Sequence, residues 1–499
     1  MSIALRRFAD RTAVVDRDQQ YSYQDLSRRT AHLQGVLADL GLERGDGVGI
    51  LSMNSLDYVA LQLAIPMSGM YFMSLYHLES PTVQLEQIDY GELKVVLVDD
   101  GSFPENCAKL REGAAPGVTV APLSTTSGDP SEDAPIEPVV APGYLDVAEL
   151  ALTSGTTGRP KAAVWPERVY IYTGLLAAAN LQLPAVPRML ISTPLSHGIA
   201  SQFVSSVLGL GGCLVLLPRF EPGAVLSTIE RDDVNVLPIV PTALTALLDH
   251  PDIEHTDVSS LETLIYGGSP LSPDRAQQAI DRFGPILVQI YGTREGHVVT
   301  TMQKEEHAPS VPGRLASCGR ANFGVEIALL GPDLQPVGPG EIGELCSRSH
   351  GSSDGYWRNQ ELTDDLLAGG WVHSGDLATV DEQGFYTIVD RVKNVVISGA
   401  HNIYPLDVEN ALADHPSVAS AAVFGVPDEV WGEALCAVVV VHPDRPASAD
   451  EILAHVRELR GPVNTPKVLH IVDVLPSNSA GKVDKPALKR RFSVSADAQ

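Results

Sequence analysis

The run best suited to holding a polyanion is ALTSGTTGRPKAA, residues 151–163. An apolar lead-in gives way to Thr153, Ser154, Gly155, Thr156, Thr157 and Gly158, then to a basic tail with Arg159 and Lys161. Hydroxyls donate hydrogen bonds, and glycines let successive backbone N–H groups converge, which is what a phosphate group asks for. The run is not the common P-loop, because Gly155 and Gly158 stand three apart and Lys161 does not follow a glycine. An ordinary Ser/Thr/Gly surface loop has the same composition, so the chemistry needs support from elsewhere in the chain.

Three further strings follow short apolar runs that read as strands: STPLSHG at 192–198, YGGSP at 266–270 and YGTRE at 291–295. In open α/β sheets ligands bind beyond the carboxyl ends of the strands, so these are candidate site loops. WVHSGD (371–376), DRVKN (390–394) and PSNSAGKVDK (476–485) add charged residues among turn formers. Taken singly, a glutamate at a strand end or a lone lysine is a solvated charge.

Taken together, these strings closely resemble the motifs of the adenylate-forming superfamily, which holds acyl- and aryl-CoA ligases, peptide-synthetase adenylation domains and luciferases. The resemblance runs from near residue 10 to about residue 490. It implies that 153–158 and Lys161 hold the phosphates of ATP. Gly267, Gly268 and Ser269 would lie along the adenine, with Tyr291 stacked on its other face and Gly292, Thr293 and Arg294 beside the nucleotide. Glu295 matches the glutamate that holds Mg2+ on the phosphates, a hard cation suited to carboxylate oxygen. Asp376 would accept hydrogen bonds from the ribose hydroxyls, helped by Arg391. Lys393 falls at the hinge about which the C-terminal domain swings. Lys482 matches the mobile catalytic lysine, whose ammonium can reach both the acid's carboxylate and the α-phosphate. His197, Val240 and Gly267 would line the acid pocket, His197 as a gate rather than a proton carrier. Pro241, Gly268 and Ser269 nearby hint at a modest pocket for aryl or short to medium acyl groups.

Three positions depart from the family pattern. Arg294 stands where a phosphate-contacting threonine is usual, with Thr293 one place early; it would bind an extra anionic group of the substrate or replace the lost hydroxyl contact. Ala400 replaces the second glycine of G-G-x-N-I-x-P, where pantetheine passes in CoA ligases. Lys161-Ala162 replaces Lys-Gly, a minor change. The leading expectation is ATP-dependent adenylation of a small carboxylic acid, followed by transfer to coenzyme A. The alternative keeps adenylation and changes the acceptor or activated group: an amine, a carrier-protein thiol, or nitrite. A catalytically silent binding protein is the third reading.

The elements that must position these residues follow from periodicity. A helix over 22–40, opened by the capping pair Ser22 and Asp25, precedes a buried strand at 48–51, a helix at 56–70 and a strand at 94–98. Residues 113–143, rich in proline, alanine and acids, read as a surface excursion. Strands are expected at 189–192, 213–217, 236–240, 264–266 and 286–290, with helices at 243–248 and 273–283. The alternation of apolar strands and helices implies a layered α/β class. A β-rich texture begins near 324, and a small α+β domain is expected after 390. The expected domains are 1–390 for ATP and acid, and a mobile 391–499.

Length and composition agree: 499 residues suit two or three domains, and 44% hydrophobic with 19% charged residues is globular. A net charge of −27 argues against nucleic acid or an anionic membrane surface as the main partner. The five cysteines show no paired spacing, and no stretch approaches a membrane span, so a cytoplasmic monomer or homodimer is expected.

Overall fold

The computed structural model describes residues 1–126, 143, 145–153, 161–308, 310–398, 401–428, 431–476 and 483–492. The chain forms two compact units, one of residues 1–327 with 347–374 and the other of 328–346 with 375–499.

The first unit is built on two sheets. One has six strands in the order Thr119–Pro122, Leu93–Val98, Gly47–Leu51, Tyr71–Ser74, Val147–Thr153 and Lys161–Pro166. Its first five strands run parallel, and Lys161–Pro166 returns antiparallel. The other has nine strands, with Leu287–Thr293, Thr263–Gly267, Val236–Ile239, Arg188–Ile191, Cys213–Leu216 and Thr12–Asp16 as its parallel core. Side chains alternate across this sheet: Met189 and Ile191 join one core cluster and Leu190 another.

The first cluster draws residues from both sheets, including Val48, Ile50 and Phe72 from one and Leu214, Val236 and Val288 from the other. Helix Leu56–Met67 shares that cluster. Every residue from Tyr58 to Pro66 is buried, as a helix apolar all round must be. Helix Tyr23–Asp39 begins with the expected capping box of Ser22 and Asp25. The outer cores pack helices Pro222–Arg231, Pro241–Leu248 and Pro273–Phe283 on the nine-stranded sheet, and Pro81–Tyr90 and Pro104–Gly113 on the six-stranded sheet.

Two sequence expectations change. Thr119–Pro122 is a parallel edge strand rather than part of an excursion, and Leu123–Thr126 forms a 3-10 turn; a short segment holding Pro122 carries little periodicity. The strand expected to end at 290 continues to Thr293 and turns back antiparallel as His297–Met302, so YGTRE spans a strand end and a hairpin.

A four-stranded sheet is ordered Glu326–Leu330, Gly343–Arg348, Val372–Val380 and Tyr386–Arg391. The second unit holds a five-stranded sheet in which Val418–Asp428 and Gly432–Val441 form a long hairpin. Helices Pro405–Ala413 and Ala449–Arg460 cover it through Val408, Leu412, Ile452 and Val456. All five cysteines are buried. Among the described residues no helix is long and apolar enough to cross a membrane.

Candidate active site

Strands Arg188–Ile191, Val236–Ile239, Thr263–Gly267 and Leu287–Thr293 are parallel and adjacent, so their carboxyl ends leave one edge of one sheet. His197, Val240, Gly267–Ser269 and Tyr291 follow from those ends. His197 and Val240 each sit at the N-cap of the next helix. Sterics dictate two glycines in this edge. A Cβ on Gly267 would lie 2.2 Å from the Ile290 carbonyl oxygen, and one on Gly292 only 1.8 Å from that of His297. Asn54, 3% exposed, ties the loop before His197 in place. Its Nδ2 donates to the carbonyls of Thr193 (3.0 Å) and Leu217 (2.9 Å), and its Oδ1 accepts from the Leu195 N–H (2.7 Å).

The YGTRE turn is cross-braced. Thr293 Oγ1 accepts from the Gly296 N–H at 2.9 Å, closing the hairpin. Trp165 Nε1 donates to the Arg294 carbonyl at 2.8 Å. The Arg294 side chain turns toward the STPLSHG loop, where Nη2 donates to the Ser196 carbonyl at 3.0 Å. Its Nη1 lies 4.0 Å from Glu149 Oε1, with the two side chains 19% and 3% exposed. The guanidinium also sits 5.6 Å from the centre of the Trp165 ring. The other Glu149 oxygen accepts a hydrogen bond from the Tyr170 hydroxyl. Burial pushes the Glu149 carboxyl above its usual range, while Arg294 and then the Tyr170 hydrogen bond oppose that push.

Around this pair stand Tyr58, whose hydroxyl donates to Ser74 Oγ at 2.7 Å, and Tyr76, edge-on to the His197 ring at 6.4 Å. Burial raises Tyr76 to about 12. His297 lies 4.3 Å from the Trp165 ring, and burial, then Arg294, lower it to about 3.

Glu295 is half-buried, and its Oε1 accepts from the Tyr356 hydroxyl at 2.6 Å. Tyr356 pairs with Ala163, and its ring lies 5.8 Å below the Lys161 ammonium. Lys161 opens the returning strand opposite Thr153, so both ends of the run expected to hold phosphate are anchored in the six-stranded sheet. A half-buried carboxylate braced by a tyrosine presents oxygen, the donor type Mg2+ takes.

In the second unit Asp376 and Arg391 face each other across an antiparallel pair, and Arg391 Nε donates to Asp376 Oδ1 at 2.6 Å. Asp376 is 6% exposed while Arg391 is exposed. Asp390 is a clamp. Its Oδ1 accepts from the Arg391 N–H (2.6 Å) and from Asn394 Nδ2 (3.0 Å), and its Oδ2 from the Leu406 N–H (2.7 Å). Lys393 lies exposed in the 3-10 turn Val392–Asn394 held by this clamp. Ser154, Gly155, Thr156, Thr157, Gly158, Ala400 and Lys482 lie outside the described residues.

Sequence reasoning passed over Glu149, Tyr170, Trp165, Asn54, Tyr356 and Asp390. Glu149 carried a legible signal, a single carboxylate inside the apolar strand VAELALT, which has to find a partner if the strand is buried on both faces. The others are ordinary residues until tertiary neighbours are known.

The AMP-binding enzyme family matches residues 2–357, and the AMP-binding enzyme C-terminal domain matches residues 407–482. The chain is 35% identical over 511 aligned positions to a medium/long-chain-fatty-acid–CoA ligase of Mycobacterium tuberculosis, covering 98% of this chain and 89% of that one. It is 36% identical to a feruloyl-CoA synthase of an Amycolatopsis species, covering 96% of each. Among solved structures, the amide bond synthetase McbA of Marinactinospora thermotolerans superposes with a TM-score of 0.89 at 30% identity, over 98% of this chain and 99% of that one.

Proposed function

We propose, from the premise that the chain belongs to the AMP-binding enzyme family, that it activates a carboxylic acid with ATP and passes the acyl group to coenzyme A. The observation that carries the reading is the convergence of His197, Val240, Gly267–Ser269 and Tyr291–Glu295 on one edge of one sheet. The CoA ligases among its relatives support the acceptor.

In the first half-reaction a carboxylate oxygen attacks the α-phosphorus, the bond to the bridging oxygen breaks, and pyrophosphate leaves. Thr153–Gly158 and Lys161 hold the phosphates, Gly267–Ser269 and Tyr291 the adenine, and Asp376 with Arg391 the ribose. Glu295 would hold Mg2+, which supplies positive charge to the phosphate oxygens. Lys482 neutralises the charge that builds as two anions meet. In the second half-reaction the thiol sulfur attacks the acyl carbon, the C–O bond to AMP breaks, and the thiol proton goes to solvent. Lys393 and its neighbours absorb the domain rotation between the two. The protein acts as a monomer or a homodimer. Five buried cysteines suit a reducing cytoplasm.

The acid is an aryl or aliphatic carboxylic acid, the classes named for the relatives above. A second reading, transfer to an amine, is favoured by the likeness to the amide bond synthetase and by Ala400 on the expected pantetheine path. The deciding experiment is acid-dependent pyrophosphate release from MgATP across aryl and aliphatic acids, with coenzyme A or an amine added. Thioester formation establishes the ligase. Release with amide but no thioester moves the acceptor to an amine. Lys482→Ala should reduce acid-dependent release at least about a hundredfold, the scale of losing one preorganised charge contact; unchanged release points to a silent scaffold or a contaminant.

A further inference from the structure

Resting on the reading that the loop at His197 borders the acid, we infer that the buried Glu149–Arg294 pair sets the charge the site accepts: an acid whose single anionic group is the carboxylate being activated. Arg294 by itself suggests the opposite, because a guanidinium one residue from Glu295 invites a second carboxylate. The structure gives that charge an internal partner. Glu149 lies in the strand between Tyr71–Ser74 and Lys161–Pro166, opposite Trp165, and is 3% exposed as a side chain. Its other oxygen is taken by Tyr170. Arg294 cannot shed its proton, and so favours an ionised carboxylate beside it. A second carboxylate brought here would meet Glu149 as well as Arg294 and lose its water without net attraction.

The pair also leaves one donor without a hydrogen bond. Arg294 Nη1 is buried, 4.0 Å from Glu149, with no hydrogen-bond partner among the described residues. A carbonyl, ether or hydroxyl oxygen on the acid, or a water, would satisfy that N–H without bringing charge. Arg294 is therefore a specificity residue that offers a hydrogen bond while its charge is spent inside the protein. The same guanidinium holds the Ser196 carbonyl and packs against Gly198, where an added Cβ would meet it at 3.3 Å. Its position thus bears directly on the loop that carries His197.

The test compares kcat/KM for a monoacid and for the diacid of equal chain length, octanoate against suberate and cinnamate against 4-carboxycinnamate, using pyrophosphate release from the full chain. The wild type should prefer the monoacid by at least tenfold. Glu149→Gln keeps the shape and removes the anion, so the ratio should move at least tenfold toward the diacid, mainly through KM; Glu149→Asp should keep the wild-type preference. Arg294→Gln should shift preference the other way, toward the ω-amino acid of the same length. A wild type that takes diacids as well as monoacids overturns the inference whether or not the variants fold. So does a folded Glu149→Gln with the ratio within twofold of wild type. If no acid drives release in the wild type, the proposed function falls and this inference with it; release with monoacids at an unshifted ratio overturns this inference alone.

Discussion

His297 shows what one residue costs when buried beside a fixed charge. It takes a positive φ of 62°, its Nδ1 meets Thr173 Oγ1 at 3.2 Å, and it is 5% exposed. Its pKa falls from the ordinary 6.5 to about 3. Between those values the unfolded chain binds a proton that the folded chain does not, so stability is full above about pH 6.5 and is lost as pH falls toward 3, by about 1.4 kcal/mol per pH unit. His297→Asn, which tolerates positive φ, should remove much of that slope between pH 6.5 and 5. Denaturant midpoints followed by tryptophan fluorescence check this, since Trp165 lies against the ring; parallel slopes in wild type and variant would count against it. Asp376→Asn addresses the proposed ribose contact instead. It removes the anion that Arg391 pairs with and should raise the KM for ATP about tenfold or more, the scale of one charged hydrogen bond.

At the scale of elements, the site depends on a hairpin and a tether. Leu287–Thr293 and His297–Met302 approach so closely at Gly292 that no side chain fits. Gly292→Ala must push the two backbones apart, displacing Arg294 and Glu295, and should cost about 1–3 kcal/mol of stability along with most of the activity. The tether is Asn54, which joins the loop after Gly47–Leu51, in one sheet, to the ends of Arg188–Ile191 and Cys213–Leu216 in the other. Asn54→Ala leaves one buried N–H and two carbonyls without that partner. A loss of about 1–3 kcal/mol is expected, read as a lowered unfolding midpoint. Its kinetic mark should be a raised KM for the acid, because the freed loop carries His197; an unchanged KM would show that the tether serves stability alone.

At the scale of the molecule, Gly267–Ser269 and Tyr291 belong to one compact unit, while Asp376, Arg391 and Lys393 belong to the other, with Lys393 inside that unit rather than at its boundary. A rotation at Lys393 should matter to the second half-reaction and not to the first. Lys393→Pro fixes φ at the turn. It should leave acid-dependent ATP–pyrophosphate exchange within about threefold of wild type while lowering thioester formation by about tenfold or more. Equal losses in both half-reactions would place the pivot elsewhere. Asp390 explains why a turn can bear this role: it holds Val392–Asn394 to the start of helix Pro405–Ala413 through both carboxylate oxygens.

What the sequence determined by itself was whatever is local and chemically specific. The capping box at Ser22, the helix Pro273–Phe283, the apolar parallel strands and the order of the motif strings were legible because period, caps and motif spacing are properties of neighbouring residues. Tertiary structure decided what depends on partners distant in sequence. Glu149 and Arg294 are 145 positions apart by their numbering and meet only because two sheets pack about one core. The edge strand Thr119–Pro122 and the continuation of Leu287 to Thr293 likewise followed from pairing, since a strand's limits are set by the neighbour that satisfies its N–H and C=O groups. Whether Arg294 presents its charge outward or spends it inside was beyond any reading of residue types, because a buried charge is defined by the countercharge that burial brings to it.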